Sequence, residues 1–266
     1  MSEFDTLLVQ RAGGVVHVTL NRPQARNAMS LAMVRELREV LAGATLAPDT
    51  RALVLRGAGG HFCAGGDLKD MATARMGDAD QLESALITLS AAFGELCVAY
   101  AAAPMAVVVV AEGTVTGGGF GLACVADVVI ATDTAQFRLP ETSLGVVPAQ
   151  IAPFLLERLG YSEAKRLAVT GGRLTAQEAL ALRLVHSVCS TDEVDPSLAA
   201  ALHAILQCAP QAIAATKALL SQARYAPASS LVQEAAAVFT RAVLGTEGIE
   251  GTTAFLQKRK PSWAIA

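Results

Sequence analysis

The pattern of apolar and polar positions divides the chain into a mixed front half and a helical back half. Val15-Val16-His17-Val18-Thr19-Leu20 is rich in β-branched residues and follows Gly13-Gly14, which predicts a hairpin ending near Leu20. Ser30 is placed to cap a helix running through about Leu46, with Met33, Val34, Leu37, Val40 and Leu41 as its apolar face. Ala52 to Leu55 reads as a buried strand stopped by Gly57-Ala58-Gly59-Gly60. A polar stretch, Lys69 to Gln81, precedes a helix expected from about Leu82 to Ala102. Ala106 to Ala111 is a second buried strand, followed by a glycine cluster, a short helix from Gly118 to about Val125, and a strand at Val128-Val129-Ile130. Beyond Pro153 the periodicity turns helical, with Ser162 and Thr175 as candidate caps. From Pro196 onward, helices alternate with breaks such as Tyr225-Ala226-Pro227. The class is α/β first and helical afterwards.

Composition narrows the function classes. A chain of 266 residues with 53% hydrophobic and 17% charged residues buries a large core and is not disordered. Aromatics are only 5%, so Ala, Val and Leu must fill most of that core. A net charge of -3 supplies no broad basic field, which argues against nucleic-acid binding. Cys63, Cys97, Cys124, Cys189 and Cys208 are irregularly spaced without a C-x-x-C pair and read as reduced, mostly packed thiols. No secretory pattern opens the chain. The longest apolar stretch, Val98 to Ala111, contains Pro104 and is short for a bilayer. A soluble, cytoplasmic protein without membrane contact is expected. His17, His61, His186 and His203 lack metal-ligand spacing, so no metal site is expected.

Two segments place glycines directly after apolar strands: His61-Phe62-Cys63-Ala64-Gly65-Gly66-Asp67-Leu68 and Gly113-Thr114-Val115-Thr116-Gly117-Gly118-Gly119-Phe120-Gly121. Neither is a dinucleotide fingerprint, because Phe62 and Leu122 stand where the last glycine is needed, and neither holds the Gly-Lys-Ser/Thr of a P-loop. A glycine-rich turn opening a helix still leaves unpaired N–H groups at the positive end of the dipole, suited to a small anion or a developing oxyanion. The plainer reading is that these glycines serve tight turns and close packing. Two such sites with an acid downstream favour the chemical one.

These motifs resemble those of the enoyl-CoA hydratase/isomerase (crotonase) superfamily. Phe62 to Leu68 is similar to its first oxyanion loop and Gly117-Gly118-Gly119 to its second. Asn21-Arg22-Pro23…Arg26-Asn27-Ala28 is similar to its N-terminal motif and Ala254 to Pro261 to its C-terminal signature. The resemblance implies a spiral of ββα units over residues 1–195 and a helical trimerisation region over 196–266, giving a homotrimer or a dimer of trimers. It implies an acyl-CoA thioester as substrate and no separate cofactor, the coenzyme A being part of the substrate. The oxyanion donors would be the backbone N–H groups of Gly66 and Gly118. Ala64 to Lys69, including Asp67 and Leu68, would line the adenine and pantetheine path, with Arg26 and Ala28 flanking the CoA head. Phe255 and Lys258 would approach the adenosine end, from a neighbouring subunit.

Familiar hydratases of this superfamily use two glutamates. The position of the first is Gly121 here, whereas Phe137-Arg138-Leu139-Pro140-Glu141 supplies the second. Glu141, before the apolar run Leu144 to Val147, is therefore the candidate acid/base. Asp127 is expected to hydrogen-bond structurally, Cys63 to pack, and Glu112 stays open. The stretch Pro148-Ala149-Gln150-Ile151-Ala152-Pro153, together with Gly121, resembles the glutaconyl-type hydratases. Those act on isohexenylglutaconyl-CoA in acyclic terpene degradation or on 3-methylglutaconyl-CoA in leucine breakdown. Hydration by Glu141 alone is the expectation, with a gap at Gly121 admitting a branched C3 substituent and a water held by the substrate's distal carboxylate. Arg138 is a candidate for binding that carboxylate. The alternatives are a Δ3,Δ2-enoyl-CoA isomerase, in which one base shuttles one proton, and a catalytically silent thioester binder.

Overall fold

The computed structural model describes residues 4–67 and 79–264. Strands β1 (Leu7–Ala12) and β2 (Val15–Leu20) form the expected hairpin. Its turn rests on Gly13 and Gly14, both at positive φ (56° and 77°), a region only glycine enters freely. Helix α1 (Leu31–Leu46) starts where Ser30 accepts a hydrogen bond from the Met33 N–H, and it buries the five anticipated side chains together with Ala44. Strand β3 (Ala52–Gly57) then runs parallel to β2.

Helix α2 (Ala79–Ala101) begins three residues before the position read from the sequence. Its Glu83–Ala101 segment is long and apolar enough to cross a bilayer by length and composition. Yet Leu96, Cys97 and Tyr100 on that segment are fully buried, and the Tyr100 hydroxyl donates to the Leu37 carbonyl of α1 at 3.0 Å. The apolar character of α2 therefore serves packing on α1 and, further along, a pocket wall.

Strand β4 (Ala106–Ala111) pairs with β3 and with β6 (Val128–Thr132), and β9 (Ser187–Cys189) closes that edge. The six-stranded sheet has the order β1-β2-β3-β4-β6-β9 and is parallel beyond the hairpin. Between β4 and β6 lie β5 (Thr114–Thr116) and α3 (Gly118–Val125). After β6, β7 (Gln136–Arg138) and β8 (Arg173–Thr175) join β5 in a second, three-stranded sheet. Helix α4 (Ala152–Thr170) connects β7 to β8, and α5 (Ala176–Ala181) follows with Thr175 and Glu178 forming a reciprocal cap. Ser162 is not at the cap position: the backbone break in α4 falls at Gly160, and Ser162 lies in the first turn after it. These repeating strand–strand–helix turns are the expected spiral.

Alternation along β3 and β4 sends side chains into two cores. Leu53, Leu55, Val107 and Val109 face the larger core with α1 and α2, whereas Val54, Val108 and Val110 face the smaller one. Helix α6 (Val194–Leu206) covers the smaller core with Val194, Leu198 and Leu206. The division expected at 195/196 thus falls in the first turn of a helix that packs on the sheet. The helices α7 (Pro210–Ala223), α8 (Ala228–Leu244) and α9 (Thr246–Leu256) extend beyond it. Arg51 ties this extension back by donating to the carbonyls of Cys208 (2.6 Å) and Trp263 (3.0 Å).

Candidate active site

The first glycine loop is held from both sides by backbone pairing. Phe62 and Cys63 donate to the carbonyls of Glu112 and Thr114, and Thr116 donates back to Cys63. On the other side, Ala64 donates to Arg26, Met29 to Gly65, and Asp67 to Met29. With the Gly65 N–H donating to Cys63 Sγ at 3.4 Å, every amide from Phe62 to Asp67 is engaged except that of Gly66, which has no acceptor among the described residues. Gly65 sits at φ 94°, where a Cβ would crowd the Thr116 carbonyl, so glycine is required for the two loops to close on each other.

Residues of the N-terminal motif frame this loop. Arg22 forms an ion pair with the buried Asp67 at 2.8 Å and donates to the Ala28 carbonyl at 2.6 Å. Fully buried Asn27 accepts from the Arg22 N–H and donates to the carbonyls of Ala58 and His61. Arg26 and Asn27 both adopt left-handed backbone (φ 47° and 57°) to make the turn. Sequence reasoning missed this clamp, because Arg22 and Asp67 are remote along the chain.

The second loop enters α3 through Gly117, whose φ of 52° and ψ of −113° exclude other residues. The Gly117 N–H donates to the Arg138 carbonyl, while that of Gly118, the first residue of α3, meets no acceptor among the described residues. Gly66 and Gly118 therefore present two unpaired donors to one pocket of about 360 Å³. The walls are mainly apolar, with Met29, Val34, Leu86, Leu89, Phe93 and Val147 among them. Two fixed donors in such surroundings suit an oxyanion, since the low dielectric strengthens them and nothing reorganises as charge develops.

Glu141 reaches the same pocket from a 3-10 turn, Glu141–Leu144, that follows β7. A Cβ at Gly117 would stand 2.9 Å from Glu141 Oε1, so glycine there is what lets the carboxylate approach the donor loop. Glu141 Oε2 is buried without a hydrogen-bond partner. Burial raises the pKa of this half-buried acid above the ordinary value, opposed by a smaller lowering from its own backbone N–H. An orphaned carboxylate oxygen with a raised pKa in a cleft suits an acid/base group.

Gly121 overturns one expectation. No gap is left by the missing glutamate: a Cβ there would penetrate Ile151 Cγ2 and lie 3.2 Å from Ile151 Cβ. Phe93 Cζ stands 3.6 Å from the same point. Ile151 fills the space because the turn entering α4 folds back onto α3. Gly121→Glu is therefore expected to destabilise the protein by about 1–3 kcal/mol through overpacking, and pairing it with Ile151→Gly to recover part of the loss. Thermal unfolding of both variants checks this; a single variant as stable as the parent would refute the overpacking.

Other expectations resolve as follows. Ala64 lies in the first loop, and Asp67 lines the pocket already engaged by Arg22. Arg26 and Ala28 flank that loop. Leu68 and Lys69 fall outside the described residues. Phe255 and Lys258 are exposed at the end of α9 and do not line this pocket. Arg138 does not line it either; its backbone, through Gly117, is what serves the site. Glu112 is buried against Arg56 at 2.7 Å, and Asp127 accepts from Val107 N–H and Lys217, so both are structural. Cys63 packs beneath Gly119, its thiol pKa pushed up to about 11 by burial. His61 accepts from the Thr114 N–H and His186 from the Val129 N–H. Ser90, which sequence reasoning passed over, and Gln150, quoted only as part of a motif, also line the pocket.

Known proteins are similar to this chain in sequence and fold. The solved structure of Pseudomonas aeruginosa AtuE superimposes with a TM-score of 0.94 at 55% identity, covering 98% of this chain and 100% of that one. A carnitinyl-CoA dehydratase of Proteus mirabilis is 33% identical over 94% of this chain and 95% of its own length. A probable enoyl-CoA hydratase of Mycobacterium leprae is 31% identical over 98% of both. The family model described as enoyl-CoA hydratase/isomerase matches residues 10–265, taking in both donor loops and Glu141. The fold, the paired donors and that match agree: the chain belongs to the enoyl-CoA hydratase/isomerase family.

Proposed function

We propose that this protein is a hydro-lyase that hydrates a branched, 3-substituted glutaconyl-CoA thioester, isohexenylglutaconyl-CoA before 3-methylglutaconyl-CoA. One observation carries the reading. Gly121 and Ile151, which belong to the two motifs that resemble the glutaconyl-type hydratases, pack against each other at the site of the absent acid. Glu141 is thereby the one carboxylate of the described lining without an ion-pair partner. The apolar walls from α2 (Leu86, Leu89, Phe93) and from Val146 and Val147 suit an aliphatic branch.

In the proposed reaction the Glu141 carboxylate takes a proton from water as the water oxygen bonds to C3. The C2=C3 electrons move into the thioester, whose oxygen is held by the N–H groups of Gly66 and Gly118. The Glu141 carboxylic acid then returns the proton to C2, so that H and OH have been added and the residue is restored. No cofactor enters, the CoA arriving with the substrate.

Incubation with isohexenylglutaconyl-CoA, 3-methylglutaconyl-CoA, crotonyl-CoA and a 3-enoyl-CoA, with products weighed by mass spectrometry, tests the proposal. The expected result is gain of one water on the branched glutaconyl thioesters with little on crotonyl-CoA. The lone glutamate also favours a proton shuttle, so isomerised 3-enoyl-CoA without hydration would replace the proposal by the isomerase reading. Binding without turnover on every substrate would make the chain a silent thioester binder. The same proposal includes a trimer or dimer of trimers, since α8 and α9 expose Val232, Phe239, Leu244 and Phe255. A monomer by analytical ultracentrifugation at micromolar concentration would exclude it.

A further inference from the structure

The walls of the Glu141 pocket carry one polar feature that the proposed chemistry does not use. Gln150 donates from Nε2 to Ser90 Oγ at 3.0 Å, and both residues line the pocket. The amide rests on α2 at Gly94, where a Cβ would collide with Gln150 Oε1 and stand 2.8 Å from its Cδ. Ser90 and Gly94 are one helical turn apart, so the hydroxyl and the bare backbone form a seat for the amide on a single helix face. This arrangement leaves the second Nε2–H of Gln150 and the Ser90 hydroxyl proton as two adjacent donors, both half-buried at the pocket wall.

Their place relative to the reacting centre decides what they can do. The atoms nearest the Gly118 and Gly121 positions belong to Phe93, Met29 and Ile151, and those nearest Gly117 to Glu141 and Gly65. The Gln150 amide is absent from all three neighbourhoods and rests instead against Gly94. It belongs to the α2 wall of the pocket. The described lining holds no lysine, arginine or histidine, its Asp67 is committed to Arg22, and Glu141 repels a second negative charge. An acid group on the acyl chain would be held best by neutral donors away from Glu141.

We propose that Gln150 and Ser90, seated on Gly94, form a two-donor fork that recognises the distal carboxylate of a dicarboxylic acyl-CoA and so determines specificity. This rests on the glutaconyl reading of the same pocket, but its test does not require turnover. Calorimetric titration with two saturated, unreactive thioesters, glutaryl-CoA and butyryl-CoA, reads the carboxylate contact as a ratio of affinities. The parent protein is expected to prefer glutaryl-CoA by at least about tenfold, the scale of a single hydrogen bond to a charged group. Gln150→Leu and Ser90→Ala are each expected to bring that ratio most of the way to one. Gly94→Ala should do the same without removing either donor, by lifting the amide from its seat, and circular dichroism melting verifies that each variant is folded. A parent ratio near one, or a ratio that survives Gln150→Leu, would overturn the proposal. If the parent hydrates none of the four substrates yet prefers glutaryl-CoA, the recognition stands and the hydration reading alone falls.

Discussion

Glu141→Gln is expected to lower hydration by about 10²–10⁴-fold, the usual worth of a positioned acid/base, while leaving the fold intact. The variant keeps the shape of the side chain and removes only its titration. In the parent, burial raises the Glu141 pKa above its ordinary value of 4.5, so the acid limb of the rate profile should lie above that value. That limb should vanish in whatever activity remains to the variant. Stability should move in the opposite sense. A group whose folded pKa is raised contributes stability below its unfolded pKa and loses it as pH rises through the folded value. At neutral pH the parent therefore carries a half-buried, unpartnered carboxylate that the variant lacks. Melting temperatures should show Glu141→Gln equal to or above the parent at pH 7, with the advantage disappearing below pH 4.5. Undiminished hydration by the variant would refute the assigned role of Glu141.

Gly117→Ala should be almost as damaging to activity, by about 10²–10³-fold, the scale of one lost oxyanion donor. Two faults coincide at this position. The backbone at φ 52° and ψ −113° costs an alanine on the order of 1–3 kcal/mol, and the new methyl would stand 2.9 Å from Glu141 Oε1. Relief of either fault moves the Gly118 N–H or the carboxylate from the position the other requires. Steady-state kinetics should show the loss mainly in kcat, because a donor misaligned with the developing oxyanion weakens the transition state more than the ground state. A variant within twofold of the parent would show that the contact between Gly117 and Glu141 does not matter to the reaction.

Much of this architecture was legible because it is local. Helix α1 could be bounded from Ser30 to Leu46 since cap and apolar stripe lie within a few residues of each other. The α3 start at Gly118 follows from where strand residues give way to glycine. The donor loops and Glu141 were likewise found as contiguous motifs. The three-residue strands β5, β7, β8 and β9 were not, being too short to show alternation and defined only by their partners. Ser162 misled by two residues, because the break in α4 lies at Gly160 and Ser162 falls inside the first turn of the segment that resumes after it.

The sequence by itself determined the class, the order of the elements and the residue types available for chemistry: two glycine loops, one usable glutamate, and a glycine in place of a second acid. Periods of two and 3.6 residues and the conformational freedom of glycine are properties of neighbouring residues, and they survive in one dimension. Only the tertiary structure decided that Arg22 holds Asp67, that Ile151 closes the space at Gly121, and that Gln150 rests on Gly94 beside Ser90. Each joins side chains 30 or more residues apart, and their meeting depends on how the spiral stacks its turns. A missing side chain in a sequence suggests a hole; close packing of the interior is what determines whether the hole is there.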